Sequence, residues 1–313
     1  MIRSSKPVVL LGPQHVVPTA RRLLGDLRVK GQVALITTGW QERENDDDAL
    51  IAELGVPAVN LGLHARSDDV FAKDPELAAA YKERQERLRL LQDFYRVRLE
   101  HTEEAGRVIS LRQVDPGLLE EERRISLTLV RRLDHDHFGR CRAVREEFEM
   151  RYRPSERDAV ARHRSELAGL LRGAGALVIA GGHVAVLLNR MRLFGVGELV
   201  GRRPIIAWSA GAMCLTERVV LFHDHPPHGQ GIAEVMDAGF NLVPNLVVLP
   251  DPRHRLRLGD RERMARLAQR FAPAVCVAMD HRAEIVYQGG RIARTAGLQR
   301  LTQSGAVERE AAR

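Results

Sequence analysis

Short apolar runs alternate with helix-like segments through the first 65 residues of the chain. The runs span 7–12 (PVVLLG), 33–38 (VALITT) and 57–62 (PAVNLG), and amphipathic segments such as 18–29 separate them. Strands that alternate with helices are typical of βαβ units and a parallel sheet. We therefore predict an α/β fold in which a mostly parallel sheet is flanked by helices.

The pattern changes to long, charged sequence with a helical period from 73 to 172. In its first part Leu88, Leu91, Phe94 and Tyr95 recur at the spacing of one helix face. We interpret this range as an insertion of about three helices in a single α/β domain spanning 1–313. The insertion could cap a site or form a dimer interface, because its apolar stripes must be buried somewhere.

Strand-like runs return after the insertion, so we expect one sheet that is split in sequence but not in space. These runs span 176–180, 204–208, 241–249 and 274–279. Residues 283–294 predict a hairpin that turns at Gly289-Gly290. The last dozen residues are small and polar, and we expect them to be frayed.

Composition narrows the class of protein. The chain has 313 residues, 44% of them hydrophobic, which is enough for a substantial core. Its net charge is +7, but arginines interleave with acidic residues and aromatics make up only 4%, so we expect no nucleic-acid partner. No apolar run is long enough to span a membrane, and no cleavable leader is evident. Three widely spaced cysteines, Cys141, Cys214 and Cys276, indicate reduced thiols and a cytoplasmic protein.

The segment 204–214 (PIIAWSAGAMC) carries the most specific chemical signal. A β-branched run ends abruptly at Ser209, and small residues follow it in Ala210-Gly211-Ala212. This pattern is typical of a nucleophile elbow, where a tight strand-to-helix turn exposes one hydroxyl beside free backbone N–H groups. A structural turn of small residues is the alternative, since Ala207 and Ala212 stand where G-x-S-x-G has glycine.

A serine nucleophile needs a base, and the base needs an acid that orients it. His254 follows the predicted strand 246–249 and is a candidate base; a solvated loop histidine is the alternative. Asp224 is a candidate acid within the cluster His223-Asp224-His225 with His228. The same cluster could bind zinc, although its spacing is not that of a helical zinc motif. Gly181-Gly182 ends another strand and could complete an oxyanion hole.

Taken together, the segments AGGH, WSAGAM, DHPP, LVP-strand-PDPRH and AMDHRAEIVYQGG resemble the dipeptidase E and cyanophycinase family of serine peptidases. That family has the class I glutamine-amidotransferase-like fold, which is flavodoxin-like. The resemblance covers about 176–290 and, more loosely, the first 65 residues. It does not account for the insertion.

The resemblance implies roles for individual residues. Ser209 matches the nucleophile, His254 the general base, and the N–H groups of Gly182 and Ala210 the oxyanion hole. Asp224 matches the acid of dipeptidase E-like members, with Asp280 or Glu284 as reserves, because the second residue of the family's acidic pair is His281 here. His183 replaces the asparagine of the family's GGGN motif, and Arg255 and Leu256 follow His254 where an aromatic is common.

The resemblance implies a hydrolase that cleaves a small peptide or isopeptide, with an aspartyl group as the implied preference. Substrate contacts are expected from His183, Arg255 and Arg257, with Arg190 as a further arginine near the site. No cofactor or metal is expected in this mechanism. A non-catalytic binding protein of the same fold and a metal-dependent hydrolase using His223, Asp224 and His225 remain the alternatives.

Overall fold

A computed structural model describes residues 7–224 and 231–310. The strand formed by the first apolar run is buried on both faces, which is why that run has no polar position. In β1 (Val8–Leu11), Val8 and Leu10 belong to one hydrophobic core, while Val9 and Leu11 belong to a second core across the sheet. Strands buried on both faces read as continuous apolar runs. The predicted α/β fold with helices on both faces is confirmed.

The described strands and helices have the following bounds. After β1, the strands are β2 (Val33–Ile36), β3 (Ala58–Asn60), β4 (Leu177–Ile179), β5 (Ile205–Trp208), β6 (Arg218–Leu221), β7 (Glu234–Ala238), β8 (Leu246–Pro250), β9 (Val275–Met279), β10 (Glu284–Gln288), β11 (Arg291–Ala296), β12 (Gln299–Leu301) and β13 (Val307–Arg309). The helices are α1 (Ala20–Asp26), α2 (Asp48–Leu54), α3 (Leu63–Lys73), α4 (Pro75–Ser110), α5 (Pro116–Tyr152), α6 (Asp158–Gly173), α7 (Val184–Leu193), α8 (Val196–Leu199), α9 (Ala210–Leu215), α10 (Pro252–Arg255) and α11 (Arg261–Phe271). Two 3-10 segments span Thr38–Arg43 and Pro154–Glu156.

The main sheet has the strand order β11-β10-β1-β5-β4-β2-β3. The five strands β1, β5, β4, β2 and β3 run parallel. At the other side of β1, β10 pairs antiparallel with β1, and β11 pairs antiparallel with β10. The predicted hairpin around Gly289-Gly290 is therefore confirmed. The carboxyl ends of β1, β4 and β5 meet at one edge, the usual position of binding crevices in such sheets.

The expectation of a single sheet is wrong for the later strands. β8 and β9 pair with each other in parallel and form a second sheet, in the order β13-β12-β9-β8. β6 and β7 form a separate antiparallel pair. The expected fraying of the last dozen residues is also wrong in part, because β13 pairs with β12 through Val307–Arg309.

Three long helices, α4, α5 and α6, occupy most of the range predicted to be inserted. Asp74 and Asp115 cap α4 and α5 by accepting hydrogen bonds from backbone N–H groups, and a proline follows each cap at the first helical position. Helices α4 and α5 form an antiparallel hairpin. Leu91 and Tyr95 are buried as predicted, but Phe94 is 53% exposed and lies on a different face of α4.

A buried polar cluster joins the hairpin to α11. The Arg270 guanidinium donates to both carboxylate oxygens of Asp134 on α5, at 2.7 and 2.6 Å, and to the Tyr95 hydroxyl on α4, at 2.8 Å. The Tyr95 hydroxyl donates to Asp134 at 2.7 Å and accepts from the N–H of Val235 in β7. The hairpin is thus fixed to the second half of the chain through directional contacts.

The three cysteines are buried and free, which confirms the prediction of core thiols. Burial raises the pKa of the Cys141 thiol to about 11 and that of Cys276 to about 12. Within 7–224 and 231–310, no helix is both long enough and apolar enough to cross a membrane.

Candidate active site

Ser209 stands at the junction of β5 and α9, in the conformation expected of a nucleophile elbow. Its φ of 49° and ψ of −120° are strained for a residue with a side chain. The Ser209 N–H donates to the carbonyl of Leu11 at the end of β1, 3.2 Å away. The turn is therefore held against the centre of the sheet edge.

The glycine of the SAGA segment is required by a close backbone approach. A Cβ atom at Gly211 would lie 2.7 Å from the carbonyl oxygen of Ile179 and 2.8 Å from that of Ala180. Such distances are shorter than van der Waals contact, so α9 can approach the end of β4 only with glycine at this position. Ala210 and Ala212 on either side are buried.

Gly181 and Gly182, which follow β4, lie directly beside Ser209. A Cβ atom at Gly181 would lie 3.0 Å from the Cβ atom of Ser209, and one at Gly182, where φ is +117°, would lie 2.4 Å from the carbonyl oxygen of Gly39. In the described part of the chain, the N–H groups of Gly182 and Ala210 have no hydrogen-bond acceptor. Both predicted oxyanion donors are thus available to a ligand.

His183 is the residue before α7 and is exposed at the same edge. Its imidazole Nδ1 atom accepts a hydrogen bond from the backbone N–H of Val186, 3.3 Å away. The backbone N–H of His183 donates to the Gly39 carbonyl at 2.7 Å. Since Nδ1 is an acceptor here, the proton of a neutral His183 lies on Nε2. His183 therefore takes the place of an ordinary helix cap while presenting an N–H donor to solvent.

His254 lies on the short helix α10, which follows β8. Its Nδ1 atom is 2.7 Å from Oδ1 of Asp251, and its side chain is 72% exposed. The Asp251 N–H donates to the carbonyl of Met279 at the end of β9, 3.2 Å away. The sequence analysis missed Asp251, although the spacing Asp-x-x-His in DPRH places both side chains on one helical turn.

Asp224 contacts the residues that follow His254 but does not bond to the His254 imidazole. Its Oδ2 atom accepts from the N–H of Arg257 at 2.9 Å, its Oδ1 atom accepts from the Arg263 guanidinium, and its own N–H donates to the Arg255 carbonyl at 2.8 Å. These contacts fix the backbone at Arg255 and Arg257, directly after His254. Among the described carboxylates, Asp251 alone is paired with His254.

The two reserve acids have other partners. Asp280 is buried at the end of β9, where its Oδ1 atom accepts from the N–H of His281 at 2.8 Å and its Oδ2 atom pairs with the Arg253 guanidinium. Glu284 is buried on β10 between Arg22 of α1 and Arg294 of β11. Asp280 is thus next to α10, the helix that carries His254. Glu284 instead stabilises the packing of α1 on the hairpin of β10 and β11.

The arginines expected near the substrate are in different environments. Arg257 is exposed, and Arg255 is partly exposed with its Nε atom 3.9 Å from Asp251. Arg190 instead packs over the rings of Phe71 and Tyr81, with its guanidinium carbon 5.2 and 5.4 Å from their centroids. Arg190 is therefore part of the contact between α7, α3 and α4.

The candidate zinc cluster lies largely outside the described residues, since His225 and His228 fall between 224 and 231. His223 is described, and burial lowers the pKa of its imidazole. In the ranges 7–224 and 231–310, no group of three His, Cys, Asp or Glu side chains has the arrangement of a metal site.

A buried carboxylate that the sequence analysis did not identify supports the loop after β2. The Glu44 side chain accepts from the N–H groups of His64 and Ala65 at the start of α3, at 2.9 to 3.0 Å, and from the Thr38 hydroxyl. A carboxylate at a helix N-terminus is electrostatically favourable. The Thr38 bond fixes the residue before Gly39, whose carbonyl accepts from the backbone N–H of His183.

No protein-family model matches the chain, and no curated protein matches it significantly. Among solved structures, a peptidase from an acI-B1 Actinobacterium is similar at 14% identity and a TM-score of 0.48, with 99% of this chain and 96% of that one covered. A candidate peptidase E protein from Listeria monocytogenes EGD-e is similar at 10% identity and a TM-score of 0.43, with 95% of this chain and 99% of that one covered. The α/β fold described above rests on the strand order of this chain itself.

Proposed function

We propose that this protein is a serine hydrolase that cleaves a small peptide or isopeptide through an acyl-enzyme. The observation that carries the proposal is the strained Ser209 elbow, with the free N–H groups of Gly182 and Ala210 beside it. The strained backbone at Ser209 costs stability, and such strain is concentrated at functional sites. The free N–H of Ala210 is expected at the start of any helix, whereas that of Gly182 lies outside a helix and beside Ser209, where the two together can serve as an oxyanion hole.

In the proposed mechanism, the Ser209 hydroxyl attacks the substrate carbonyl while the Nε2 atom of His254 accepts its proton. Asp251 keeps the histidine proton on Nδ1 and stabilises the imidazolium that forms. The amides of Gly182 and Ala210 donate to the oxyanion. His254 then protonates the leaving amine, and water releases the acid in a second step. In the described structure Ser209 and His254 share no hydrogen bond, so the proposed mechanism requires α10 to bring His254 to Ser209 before the proton is transferred.

The acid of the triad is the point on which the resemblance and the geometry differ. The resemblance implies Asp224, whose carboxylate bonds to Arg257 and Arg263, whereas the contact to His254 Nδ1 is made by Asp251. We propose Asp251 as the orienting carboxylate, with Asp224 fixing the position of the loop that carries His254.

The surroundings favour a substrate with an acidic group. Arg255 and Arg257 follow His254 directly and keep exposed surface, so either guanidinium can pair with a carboxylate. This agrees with the aspartyl substrates that the resemblance implies, those of dipeptidase E and cyanophycinase. An α- or β-aspartyl dipeptide is therefore the proposed substrate class.

A panel of α- and β-aspartyl dipeptides, including β-aspartyl-arginine, tests the proposal by mass spectrometry. We expect cleavage by the wild type and a loss of about a thousandfold or more in kcat/KM for Ser209→Ala. Ser304→Ala is the matched control, because Ser304 is exposed in the turn between β12 and β13. Covalent labelling by a fluorophosphonate should follow the same pattern, which separates a wrong substrate from a wrong nucleophile.

A non-catalytic binding protein is the second candidate, and the unclosed pair of Ser209 and His254 is the observation that favours it. In that case the fluorophosphonate would leave Ser209 unmodified, and every peptide would remain intact. Ligand binding by the wild type and by Ser209→Ala would then be equal within experimental error.

A further inference from the structure

Arg84 on α4 is a buried arginine without a counter-charge. Only 9% of the residue is exposed, and its Nε atom is buried with no hydrogen-bond partner. Within 7–224 and 231–310, no carboxylate forms an ion pair with its guanidinium. Proteins almost never bury an arginine unless it is paired, because an unpaired charge is costly in a medium of low dielectric constant. The described part of the chain therefore leaves one positive charge unsatisfied at this position.

Aromatic rings hold Arg84 in place without neutralising it. Its guanidinium carbon lies 4.1 Å from the centroid of the Tyr81 ring and 4.3 Å from that of the Phe148 ring on α5. Cation–π contacts of this kind are attractive, but the rings carry no formal negative charge. A side chain held in this way is ordered before a ligand arrives, which lowers the entropic cost of binding.

The charged groups near Arg84 leave a positive excess. Arg145 on α5 and Arg192 on α7 both pair with the same carboxylate, that of Asp237 on β7. Glu149 on α5 attracts Arg84 from beyond ion-pair distance, while Arg192 repels it. Burial, the largest cause in both cases, lowers the pKa of the Arg84 guanidinium and raises the pKa of the Glu149 carboxyl. Three guanidinium groups thus share two carboxylates.

Arg84 also lines a small cavity between α4 and α5, with a volume of about 50 Å³. Because one water-sized atom needs roughly 10–15 Å³, this space holds about four such atoms. Arg87 and Glu147 line the cavity too, but they pair with each other at 2.6 Å. Arg151 forms no ion pair with a described carboxylate, and Glu83 is exposed in the same wall. The cavity therefore offers two guanidinium groups to a ligand.

The size and charge of this cavity fit a phosphoryl group. A phosphate ester carries a charge of about −1.5 to −2 at pH 7 and presents three strong acceptor oxygens besides the ester oxygen. Guanidinium groups bind such oxygens through paired, charge-assisted N–H donors. A carboxylate has one charge and two oxygens, so it matches the two guanidinium groups and the available space less well.

A larger cavity of about 320 Å³ lies next to the first. Ala80, Glu83, Arg151 and Tyr152 line both cavities, so the two spaces meet at these side chains. The larger volume is within the range typical of small-molecule sites, about 300–1,000 Å³. The organic part of a phosphate ester therefore has room beside Tyr152 when its phosphoryl group is at Arg84.

We infer that Arg84 and Arg151 bind a phosphoryl group in the groove between α4 and α5. The group arrives either as inorganic phosphate or as the ester of a small organic molecule, whose remainder occupies the larger cavity. Its negative charge supplies the partner that Arg84 lacks. Every residue that lines the smaller cavity belongs to α4 or α5, so the site does not depend on the proposed hydrolase activity.

Isothermal titration calorimetry of the full chain at constant ionic strength tests the inference. Inorganic phosphate should bind saturably at one site per chain. Arg84→Met should raise its dissociation constant about tenfold or more, because charge-assisted bonds are lost while the apolar stem still packs on the rings. Arg98→Met is the matched control, since Arg98 is exposed elsewhere on α4, and it should bind like the wild type. No saturable binding, or equal binding by Arg84→Met, would overturn the proposal.

Parallel titrations with ribose 5-phosphate and acetate identify the source of the anion. Binding of ribose 5-phosphate that is tighter than that of inorganic phosphate, and is weakened by Tyr152→Ala, assigns an ester. Equal or weaker binding assigns inorganic phosphate itself. Acetate that binds as tightly as phosphate would show only a general attraction for anions, and the proposal would be wrong.

Two further variants test the site without touching a buried side chain. Arg151 and Glu83 are exposed, so their replacements should leave the circular dichroism unchanged. Arg151→Met should weaken phosphate binding severalfold, because one of the two free guanidinium groups is lost. Glu83→Gln should strengthen it, because a like charge is removed from the cavity wall. Phosphate binding that neither substitution alters would place the anion elsewhere and contradict the assignment.

Discussion

The Nδ1 atom of His254 lies 2.7 Å from Oδ1 of Asp251, three residues earlier on the same turn. A carboxylate in this position selects the tautomer that leaves Nε2 free to accept a proton. We expect Asp251→Asn to lower kcat/KM at least a hundredfold with little change in KM, because the tautomer is lost while substrate contacts remain. The measurement is steady-state kinetics on the aspartyl peptide that is cleaved best.

Asp224→Asn is the comparison for that variant. Its Oδ1 atom pairs with the Arg263 guanidinium, so this substitution should lower the melting temperature more than the Asp251 variant does. If Asp224→Asn abolished activity without lowering the melting temperature, and Asp251→Asn retained activity, the acid would be Asp224, as the resemblance implies.

Gly211→Ala tests the close packing behind the elbow. The added methyl group would lie 2.7 Å from the Ile179 carbonyl, so we expect a loss of more than about 2 kcal/mol in the free energy of unfolding and a loss of fluorophosphonate labelling. Gly139 on α5 is the matched control, because a Cβ atom there meets nothing within 4 Å. Gly139→Ala should stabilise the protein by about 0.5–1 kcal/mol in urea unfolding.

His137 predicts a dependence of stability on pH. Its imidazole is buried against Tyr95, and burial lowers its pKa to about 4 from an ordinary value near 6.5. Between these values the unfolded chain binds a proton that the folded chain does not, so stability falls as pH drops from 6.5 to 4, by up to about 3 kcal/mol. His137→Gln should flatten this part of the profile, whereas His135→Gln, exposed on the same helix, should leave it unchanged. Parallel profiles for the wild type and His137→Gln would contradict the assignment.

The pair of Arg270 and Asp134 should be costly to break from one side. Asp134→Asn removes the nearer of the two carboxylates beside the buried Arg270 guanidinium and leaves only Glu103, 3.6 Å away, so we expect a loss of up to about 3–5 kcal/mol in the free energy of unfolding. The combination Asp134→Leu with Arg270→Met should recover most of that loss, since no buried charge remains. A single substitution that costs less than about 1 kcal/mol would show that this cluster does not anchor the hairpin.

The sequence was sufficient to predict the strands of the main sheet because they are buried on both faces. VVLL and VALI have no polar position to suggest a loop, and the elbow after IIAW follows from its small residues. Pairing between strands was less predictable. β8 and β9 are equally apolar, and only long-range contacts determine that they leave the main sheet for a sheet with β12.

Two features of the site could not be predicted for physical reasons. Glu44 lies in a strongly polar segment, ENDDD, and its burial depends on the N-terminus of α3, which is distant in the sequence. Asp224 is next to a histidine in sequence, yet its carboxylate bonds to Arg263 on α11. The pairing of Asp251 with His254, by contrast, is local and could be predicted from spacing alone.

The chain leaves the α/β body for the hairpin and returns to it at almost the same point. The Arg157 guanidinium, just before α6, donates to Asp74 and Glu76 at the start of α4, at 2.7 and 2.8 Å. The two ends of some eighty intervening residues are thus tied by one side chain, and the strands on either side keep their order. A segment joined in this way does not reroute the sheet, so its outer surface can change while the elbow at Ser209 stays as it is, provided that the contacts of Asp134 and Tyr95 with Arg270 are kept.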